Sequence, residues 1–465
     1  MRKESLATAK KCLKFTDESV SCFHAVKNVE DRLKENGFIR LKENKSWELK
    51  PGKSYYVKRN DSSLIAFRLP KGEIRGFHIA ASHSDSPTFK LKAKSGVNVE
   101  NHYVKLNVEP YGGMIYATWL DRCLSVAGRM IYRRDDKLKS RTVNIDEDLL
   151  VIPNLAIHMD REMNKNLSYN PQIDLQPLLG AWQEDAQEAE RKVPSEKTAQ
   201  DGEALSGETP QEGEALEKTK DKKTDILMEK LACAAGIEKE EILGSDLFLY
   251  VRDKGKLAGA RKELMIAPRL DDLVCVFASV EAILAAEPKD MISVCAVFDN
   301  EEVGSCTKQG AASTFLENVL SRIGEAMGKT GGAYLQLLAE SFMISADNAH
   351  GVHPNHPEKA DSTCRPYLNK GIVIKYHGGQ KYTTDAWSEA VIKELCRKAE
   401  VPYQVYCNRS DIPGGSTLGN ISAGQVSIPA ADIGIAQLAM HSAVETAGSM
   451  DVEYLLRVLA QFYGE

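Results

Sequence analysis

The 465-residue chain lacks the features that mark membrane, secreted and nucleic-acid-binding proteins. No apolar run approaches the roughly 18 residues of a membrane helix, and residues 1–16 have no apolar centre like that of a signal peptide. Basic residues are not in excess, because 60 Lys and Arg stand against 66 Asp and Glu, for a formal net charge of −6. The sequence therefore predicts a cytoplasmic protein that binds neither a membrane nor nucleic acid.

Paired cysteines and compact zinc motifs are missing as well. The ten cysteines are scattered without a C-x-x-C pair, and several, such as Cys275 and Cys295, lie in apolar stretches. We therefore predict free thiols in a reducing compartment. The chain also has no H-E-x-x-H motif, so a metal site would have to be assembled from distant parts of the chain.

Hydrophobic patterning predicts two domains. Residues 3–36 have the apolar spacing of one or two helices, and from Ser245 onwards short apolar strands alternate with helical stretches. This alternation predicts an α/β domain with a mostly parallel sheet flanked by helices, formed by residues 1–95 and 250–465. Residues 96–249 begin with strand-like, turn-rich sequence and predict an inserted strand-rich domain.

Part of this insertion has an unusual composition. Residues 184–224 contain no aromatic residue and repeat the word GEAL at 202–205 and 213–216. Such a polar segment cannot bury enough apolar surface to pack. We expect a charged flexible segment near residues 190–224 and assign it no function.

Polar side chains follow several apolar strands, where α/β folds place their ligand sites. These candidates are His83, Asp271, Glu301, Glu302, Asp347 and His441. With one glutamate of the 301–302 pair as a ligand, two histidines and three carboxylates suit two divalent ions that share one carboxylate. Mixed nitrogen and oxygen ligands favour Zn, with Mn and Co as alternatives. Structural explanations also exist, such as a helix N-cap for Asp271, a turn for Asp347 and a core histidine for His441.

Neighbouring carboxylates suggest further roles. On an extended stretch the side chains of Glu301 and Glu302 would point to opposite sides, so that one binds metal while the other holds a water. Asp85 comes two residues after His83, and a carboxylate beside a metal-bound histidine fixes the orientation of its ring. A solvated acidic turn at 301–302 is the alternative that the residues alone leave open.

Six words of the chain resemble the aspartyl aminopeptidase family of dizinc exopeptidases. They are HSDSP at 83–87, YGGMIYATWLDR at 111–122, APRLDD at 267–272, FDNEEVGS at 298–305, SADNAHGVHPNH at 345–356 and QLAMHSAVE at 437–445. The words occur in the family's order and cover nearly the whole chain outside the charged segment. The resemblance implies a dizinc exopeptidase-like catalytic domain, an inserted dimerisation domain over 96–249, and a homo-oligomer built from dimers, in the family pattern a tetrahedral dodecamer.

The resemblance also implies a role for each candidate ligand. Asp271 bridges two metal ions. His83 and Asp347 complete one site, and Glu302 and His441 complete the other. The residue after the bridging aspartate is Asp272, where many members of the family carry Asn, so that either a change in metal coordination or a backbone role is open there.

The implied reaction is hydrolysis of the first peptide bond of a peptide with a free N-terminus. A water bound by both metals has a lowered pKa, and Glu301 accepts its proton as the general base and passes it to the leaving amine. Asp85 orients His83.

The implied substrates begin with Asp or Glu, and Lys375 and His350 are the candidates for contact with that acidic side chain. His158 resembles a histidine that reaches into a neighbouring subunit's active site. One alternative is the same chemistry with a neutral, Leu-type preference. Another is a metal-dependent deacylase or carboxypeptidase, which would need a carboxylate-binding arginine rather than a pocket for a free amine.

Overall fold

The computed structural model describes residues 3–165, 168–181 and 226–465. The charged segment predicted near residues 190–224 lies outside the described residues. Across the described ranges, no helix is both long enough and apolar enough to cross a bilayer. Two compact units can be distinguished, a large unit bounded by Met1–Thr88, Tyr111–Thr118 and Asp253–Glu465 and a small unit bounded by Phe89–Pro110 and Trp119–Arg252.

Helices and strands alternate along most of the chain, and strands dominate the small unit. The described helices are α1 (Lys3–Glu18), α2 (Cys22–Glu35), α3 (Ile226–Ala235), α4 (Leu270–Ala285), α5 (Phe315–Ala326), α6 (Gly332–Ala339), α7 (Ala386–Ala399), α8 (Leu418–Ala423) and α9 (Asp451–Gly464). The described strands are β1 (Ile39–Leu41), β2 (Ser54–Arg59), β3 (Ser63–Arg68), β4 (Gly76–His83), β5 (Thr88–Val99), β6 (Tyr103–Tyr111), β7 (Leu124–Arg134), β8 (Lys137–Asn144), β9 (Leu178–Ala181), β10 (Ile242–Val251), β11 (Lys256–Ala258), β12 (Leu264–Ala267), β13 (Met291–Phe298), β14 (Phe342–Ala346), β15 (Ala349–His350), β16 (Ile372–Tyr376), β17 (Tyr403–Cys407), β18 (Ala430–Gly434), β19 (Ala436–Leu438) and β20 (Glu445–Gly448).

A nine-stranded sheet forms the centre of the large unit, in the order β1-β2-β3-β13-β4-β14-β18-β16-β17. The four middle strands, β13, β4, β14 and β18, run parallel to one another, and so do the pairs β1/β2 and β16/β17. Antiparallel pairings join β2 to β3, β3 to β13 and β16 to β18. The predicted α/β fold with a mostly parallel sheet is confirmed.

Alternate residues of the central strands pack against helices on opposite faces of this sheet. In β13, Ile292, Val294 and Ala296 belong to an apolar cluster that includes α5, whereas Cys295 and Val297 belong to a second cluster that includes α4 and α9. The strand is buried along its whole length. Burial on both faces explains why its sequence is apolar without interruption.

Two smaller sheets complete the described fold. A five-stranded sheet in the large unit has the order β11-β12-β20-β19-β15, and a six-stranded sheet, β8-β7-β10-β5-β6-β9, dominates the small unit. The predicted domain limits at 95/96 and 249/250 fall inside β5 and β10, whereas the units divide before Phe89 and after Arg252. The largest difference from the prediction concerns residues 111–118, which were placed in the inserted domain but belong to the large unit. There, Tyr111 contacts Asp85.

A candidate metal centre at one edge of the sheet

Three neighbouring strands bring candidate residues to one edge of the nine-stranded sheet. Strands β13, β4 and β14 run parallel, and Phe298 at the end of β13 lies opposite His83 at the end of β4. Glu301 follows β13 after a short turn, and Asp347 directly follows β14. Because carboxyl ends of parallel strands meet at the same edge, three sequence-distant segments converge there.

Two more candidate ligands come from outside this sheet. Asp271 is buried at the start of α4, but its Oδ1 accepts no hydrogen bond from a backbone N–H of the described residues, so that oxygen does not cap the helix. The capping explanation therefore does not apply to Asp271. His441 lies in the loop between β19 and β20, and 32% of its side chain is exposed, so it is not a core histidine.

The possible donor atoms form three overlapping groups. In each group, one nitrogen or oxygen per residue lies within 4.8 Å of the others. The groups are His83, Asp271, Asp272 and Asp347; Asp271, Glu302 and His441; and His83, Glu301 and Glu302. Asp271 belongs to two groups that contain different histidines.

The spacing around Asp271 fits tetrahedral metal coordination. His83 Nε2 lies 3.4 Å from Asp271 Oδ1, and His441 Nε2 lies 3.6 Å from Asp271 Oδ2. His441 Nε2 is also 3.5 Å from Glu302 Oε2. Ligand atoms bound to a tetrahedral zinc at ~2.0–2.1 Å are about 3.3–3.4 Å apart. Glu302 Oε1 is buried and accepts no hydrogen bond from the residues that the structure describes, which leaves it available to a cation.

Buried negative charge dominates the electrostatics of the site. Burial raises the carboxyl pKa of Glu302, Asp272 and Asp347. Burial acts in the same direction on Asp271, but its hydrogen bond with His83 and the charge of His83 lower its pKa overall. Buried carboxylates are costly unless a positive charge compensates them, and divalent cations bound among them would supply that charge.

Glu301 and Glu302 lie on a 3-10 turn, Glu301–Val303, so the prediction of an extended stretch was wrong. The chain turns because Asn300 adopts a left-handed conformation with a φ of 64°, which asparagine tolerates better than most residues. The two side chains still diverge, since successive residues of a 3-10 helix are rotated by about 120°. Burial raises the pKa of Glu301 to about 8.

Asp85 contacts both His83 and the glutamate turn. His83 Nδ1 lies 3.1 Å from the Asp85 carbonyl oxygen and 3.4 Å from Asp85 Oδ1. The carboxylate of Asp85 also accepts the backbone N–H groups of Glu301 and Glu302, each at 3.2 Å, and Tyr111 Oη donates to Asp85 Oδ2 at 2.7 Å. The sequence paired Asp85 with His83 alone, whereas in the structure Asp85 also contacts Glu301, Glu302 and Tyr111.

The three predicted substrate contacts have different surroundings. The buried ammonium of Lys375 donates to the Asp347 carbonyl at 2.8 Å, to Asp347 Oδ2 at 3.3 Å and to the Asn348 carbonyl at 3.2 Å. Burial would lower the Lys375 pKa, but the charge of Asp347 raises it overall. Burial and the charge of Lys375 lower the pKa of His350. His158 is an exposed residue of the small unit.

Among the side chains that contact predicted site residues, those of Tyr111, Asp272 and Glu445 were not themselves predicted. Asp272 Oδ2 accepts the backbone N–H of His83 at 3.2 Å, and Glu445 accepts backbone N–H groups from two candidate ligands. All three lie within the words YGGMIYATWLDR, APRLDD and QLAMHSAVE. Their position within these family-like segments was the one signal in the sequence that could have marked them as site residues. The local sequence does not reveal which residues they contact.

Comparisons with known sequences agree on one family. The family model described as "Aminopeptidase I zinc metalloprotease (M18)" matches residues 15–463. A "Probable M18 family aminopeptidase 2" of Clostridium acetobutylicum is 43% identical over 465 residues, covering 99% of both chains. A protein of the same description from Pseudomonas aeruginosa is 38% identical over 452 residues, covering 97% of this chain and 96% of its own.

Solved structures give the same answer. A chain of the cryo-EM structure of the Ape4 and Nbr1 complex has a TM-score of 0.87 and 34% identity, covering 100% of this chain and 87% of that chain. The structure of the S. cerevisiae mApe1 dodecamer has a TM-score of 0.79 and 28% identity, covering 98% and 96%. A Thermotoga maritima M18 aminopeptidase, with a TM-score of 0.80 and coverage of 100% and 97%, is 22% identical and supports the fold alone. The chain therefore belongs to the M18 family of zinc metalloaminopeptidases, the aspartyl aminopeptidase family.

Proposed function

We propose that this metalloaminopeptidase works with two divalent ions that share the Asp271 carboxylate. The observation that carries the proposal is the position of Asp271, whose Oδ1 faces His83 Nε2 at 3.4 Å and whose Oδ2 faces His441 Nε2 at 3.6 Å. With His83, Asp347 would hold one ion. With His441, Glu302 would hold the other. Mixed nitrogen and oxygen ligands favour zinc at both positions, with Mn and Co as alternatives.

Glu301 is the proposed general base and acid. Ions held at these residues would lower the pKa of a water and polarise the first peptide carbonyl. Glu301 takes a proton from that water as its oxygen adds to the carbonyl carbon. When the C–N bond breaks, Glu301 gives the proton to the leaving amine, which completes the hydrolysis. Asp85 Oδ1 accepts the backbone N–H of Glu301 at 3.2 Å and so holds this backbone in place.

We infer a preference for peptides that begin with Asp or Glu. The ammonium of Lys375 is buried near Asp347. His350 follows Asp347 closely in the sequence. A substrate carboxylate gains most from a cation in a buried site, where charge-assisted hydrogen bonds are strong. Lys375 is thus the side chain on which the acidic preference depends.

A neutral, Leu-type preference is the second candidate, and the contacts of Lys375 favour it. An ammonium has three N–H donors. Three acceptors already lie within hydrogen-bond distance of Lys375 Nζ: the Asp347 carbonyl, Asp347 Oδ2 and the Asn348 carbonyl. A lysine engaged in this way would act on Asp347 rather than on the substrate. His350, whose pKa is lowered by burial, would then contribute a neutral ring.

Matched peptides that differ only in their first residue separate these candidates. Release of Asp, Glu, Leu and Lys is measured with added Zn, Mn or Co, after chelation, and with the N-terminus acetylated. Faster release of Asp and Glu, lost on chelation and on acetylation, supports the acidic preference. Faster release of Leu keeps the two-ion reaction and rejects the acidic pocket. Cleavage that survives chelation rejects both.

Lys375→Met tests the residue responsible. If Lys375 binds the substrate carboxylate, the ratio of kcat/KM for Asp over Leu peptides falls by about tenfold or more, as expected for a lost hydrogen bond to a charged group. Lys393→Met, at a lysine of α7 whose side chain is 40% exposed, is the matched control and leaves the ratio unchanged. Equal losses for Asp and Leu peptides would assign Lys375 to Asp347 instead.

We also propose a homo-oligomer built from dimers through the small unit. Supporting it are the dodecamer described for mApe1 at 28% identity and the exposure of His158, which would complete a neighbouring subunit's active site. Analytical ultracentrifugation measures the assembly. A fully active monomer would contradict the proposal.

A further inference from the structure

Glu445 lies between the loop that carries His441 and the start of α4 that carries Asp271. It is the first residue of β20 and is paired with Ala267 at the end of β12, a few residues before Asp271. Its side chain is buried, with 2% of the residue exposed. Glu445 Oε1 accepts the N–H of His441 at 2.8 Å, and Glu445 Oε2 accepts the N–H of Asp271 at 3.0 Å.

The loop at His441 has a conformation that needs such support. Ala439 and His441 both have positive φ values, 55° and 65°, in a region that costs non-glycine residues free energy. The His441 carbonyl accepts the N–H of Ile115 at 3.0 Å, and His441 Nδ1 lies 2.7 Å from the Gly113 carbonyl. These contacts hold the loop to residues 111–118, but neither reaches Asp271.

Glu445 joins the backbone of this loop to the backbone of Asp271. One oxygen of Glu445 fixes the backbone N–H of His441, and the other fixes the backbone N–H of Asp271. The distance between these two N–H groups is therefore limited by the separation of the two oxygens of one carboxylate. Hydrogen bonds from N–H groups to a buried carboxylate are short and strong. The spacing of His441 Nε2 and Asp271 Oδ2, 3.6 Å, depends on both backbones.

We propose that Glu445 is a positioning residue that sets the distance between His441 and Asp271 and thereby the affinity of one of the two metal positions. The inference rests on the proposed ligand roles of these two residues. Glu445 acts through these two residues, because each of its carboxylate oxygens accepts a backbone N–H from one of them. Loss of groups that orient metal ligands commonly weakens metal binding by about 10–100-fold.

The test titrates metal-free wild type, Glu445→Gln and Glu445→Ala with zinc against a chromophoric chelator. Gln keeps one acceptor oxygen, but its amide NH₂ would face a backbone N–H. We therefore expect the zinc ion held by His441 to bind about 10–100-fold more weakly, and the other ion, which shares only Asp271 with it, to be weakened less. Ala removes both acceptors and should weaken binding of the ion at His441 further. Unchanged affinity for both ions in both variants would overturn the inference.

Asp451→Asn is the matched control for a purely structural effect. Asp451 is also a buried carboxylate that accepts two backbone N–H groups, from Asn369 at 2.5 Å and Gly371 at 3.0 Å, but neither donor belongs to a proposed ligand. The Asp451→Asn variant should have a lower Tm than wild type but should bind both zinc ions with wild-type affinity. Equal weakening of zinc binding in this control would assign the effect of Glu445 to general destabilisation and overturn the inference.

His441→Ala in the same titration separates the inference from the proposed function. If His441→Ala loses one zinc ion while the Glu445 variants bind normally, only the role of Glu445 fails. If His441→Ala keeps both ions with wild-type affinity, the proposed ligand set fails, and the role of Glu445 fails with it.

Discussion

Asp85 and Glu445 use their side chains in the same way. Each buried carboxylate accepts two backbone N–H groups, from the turn Glu301–Val303 for Asp85 and from Asp271 and His441 for Glu445. A carboxylate has lone pairs enough for several such bonds. The candidate ligands are therefore held through their main chain as well as through their side chains.

Glu301→Gln separates proton transfer from metal binding. An amide cannot accept the proton of the attacking water, so kcat should fall by about 10²–10⁴-fold, while zinc content measured by atomic absorption stays at the wild-type value. The adjacent Glu302→Gln is the matched control, because it removes a proposed ligand and should lower zinc content. Full activity in Glu301→Gln, or zinc loss equal to that of Glu302→Gln, would contradict the assignment.

At the scale of secondary structure, the site depends on where strands end. Parallel β13, β4 and β14 deliver their carboxyl ends to one edge, and the antiparallel pair β12 and β20 brings Asp271 and Glu445 together from the five-stranded sheet. The helices pack on the two faces and keep the strands in place. Changes to a helix terminus away from this edge should therefore affect stability without affecting catalysis.

Helix α7 offers such a test. It begins with a capping box in which Asp385 Oδ1 accepts the N–H of Ser388 at 2.8 Å and Ser388 Oγ accepts the N–H of Asp385 at 2.9 Å. Asp385→Ala should lower the free energy of unfolding by about 1 kcal/mol, measured by urea denaturation with saturating zinc. Glu394→Ala, on the same helix beside Arg397, should change it by less than about 0.5 kcal/mol. A fall in kcat/KM for either variant would contradict the separation of stability from catalysis.

For the whole molecule, the candidate metal centre joins segments from His83 to His441 within the large unit. Ligands so far apart in the chain are close only when that unit is folded. Metal ions that bind the folded state alone stabilise it by mass action. Without them, Lys375 and His83 compensate only part of the negative charge of the buried carboxylates around Asp271.

Chelation should therefore lower the Tm, and added zinc should restore it. At a free zinc concentration 100 times the Kd, the expected stabilisation is about 2.7 kcal/mol for one site, measured by differential scanning calorimetry. Asp271→Ala removes the shared ligand, so its Tm should respond much less to the chelator. A wild-type Tm that is unaffected by chelation would contradict a metal centre at these residues.

The family and the fold class could be predicted from sequence because both depend on local features. Apolar strands such as β13 alternate with helices along the chain, and words such as HSDSP and QLAMHSAVE are short enough to be recognised in one dimension. Both predictions are confirmed. The ligand set, taken from the same words, stays a prediction, although the structure brings all five residues within the groups around Asp271.

Local features did not determine the geometry between distant residues. The contact of Glu445 with Asp271, the engagement of Lys375 by Asp347, and the place of residues 111–118 in the large unit all join parts of the chain that are far apart in sequence. The turn at Glu301 was mispredicted for a related reason. The chain leaves the direction of β13 at Asn300, and the N–H groups of the resulting turn bind Asp85, which is distant in sequence. The sequence by itself therefore determined which side chains are present at the strand ends, and the tertiary structure decided what each one contacts, because hydrogen bonds act over a few ångströms and depend on how the chain folds back on itself.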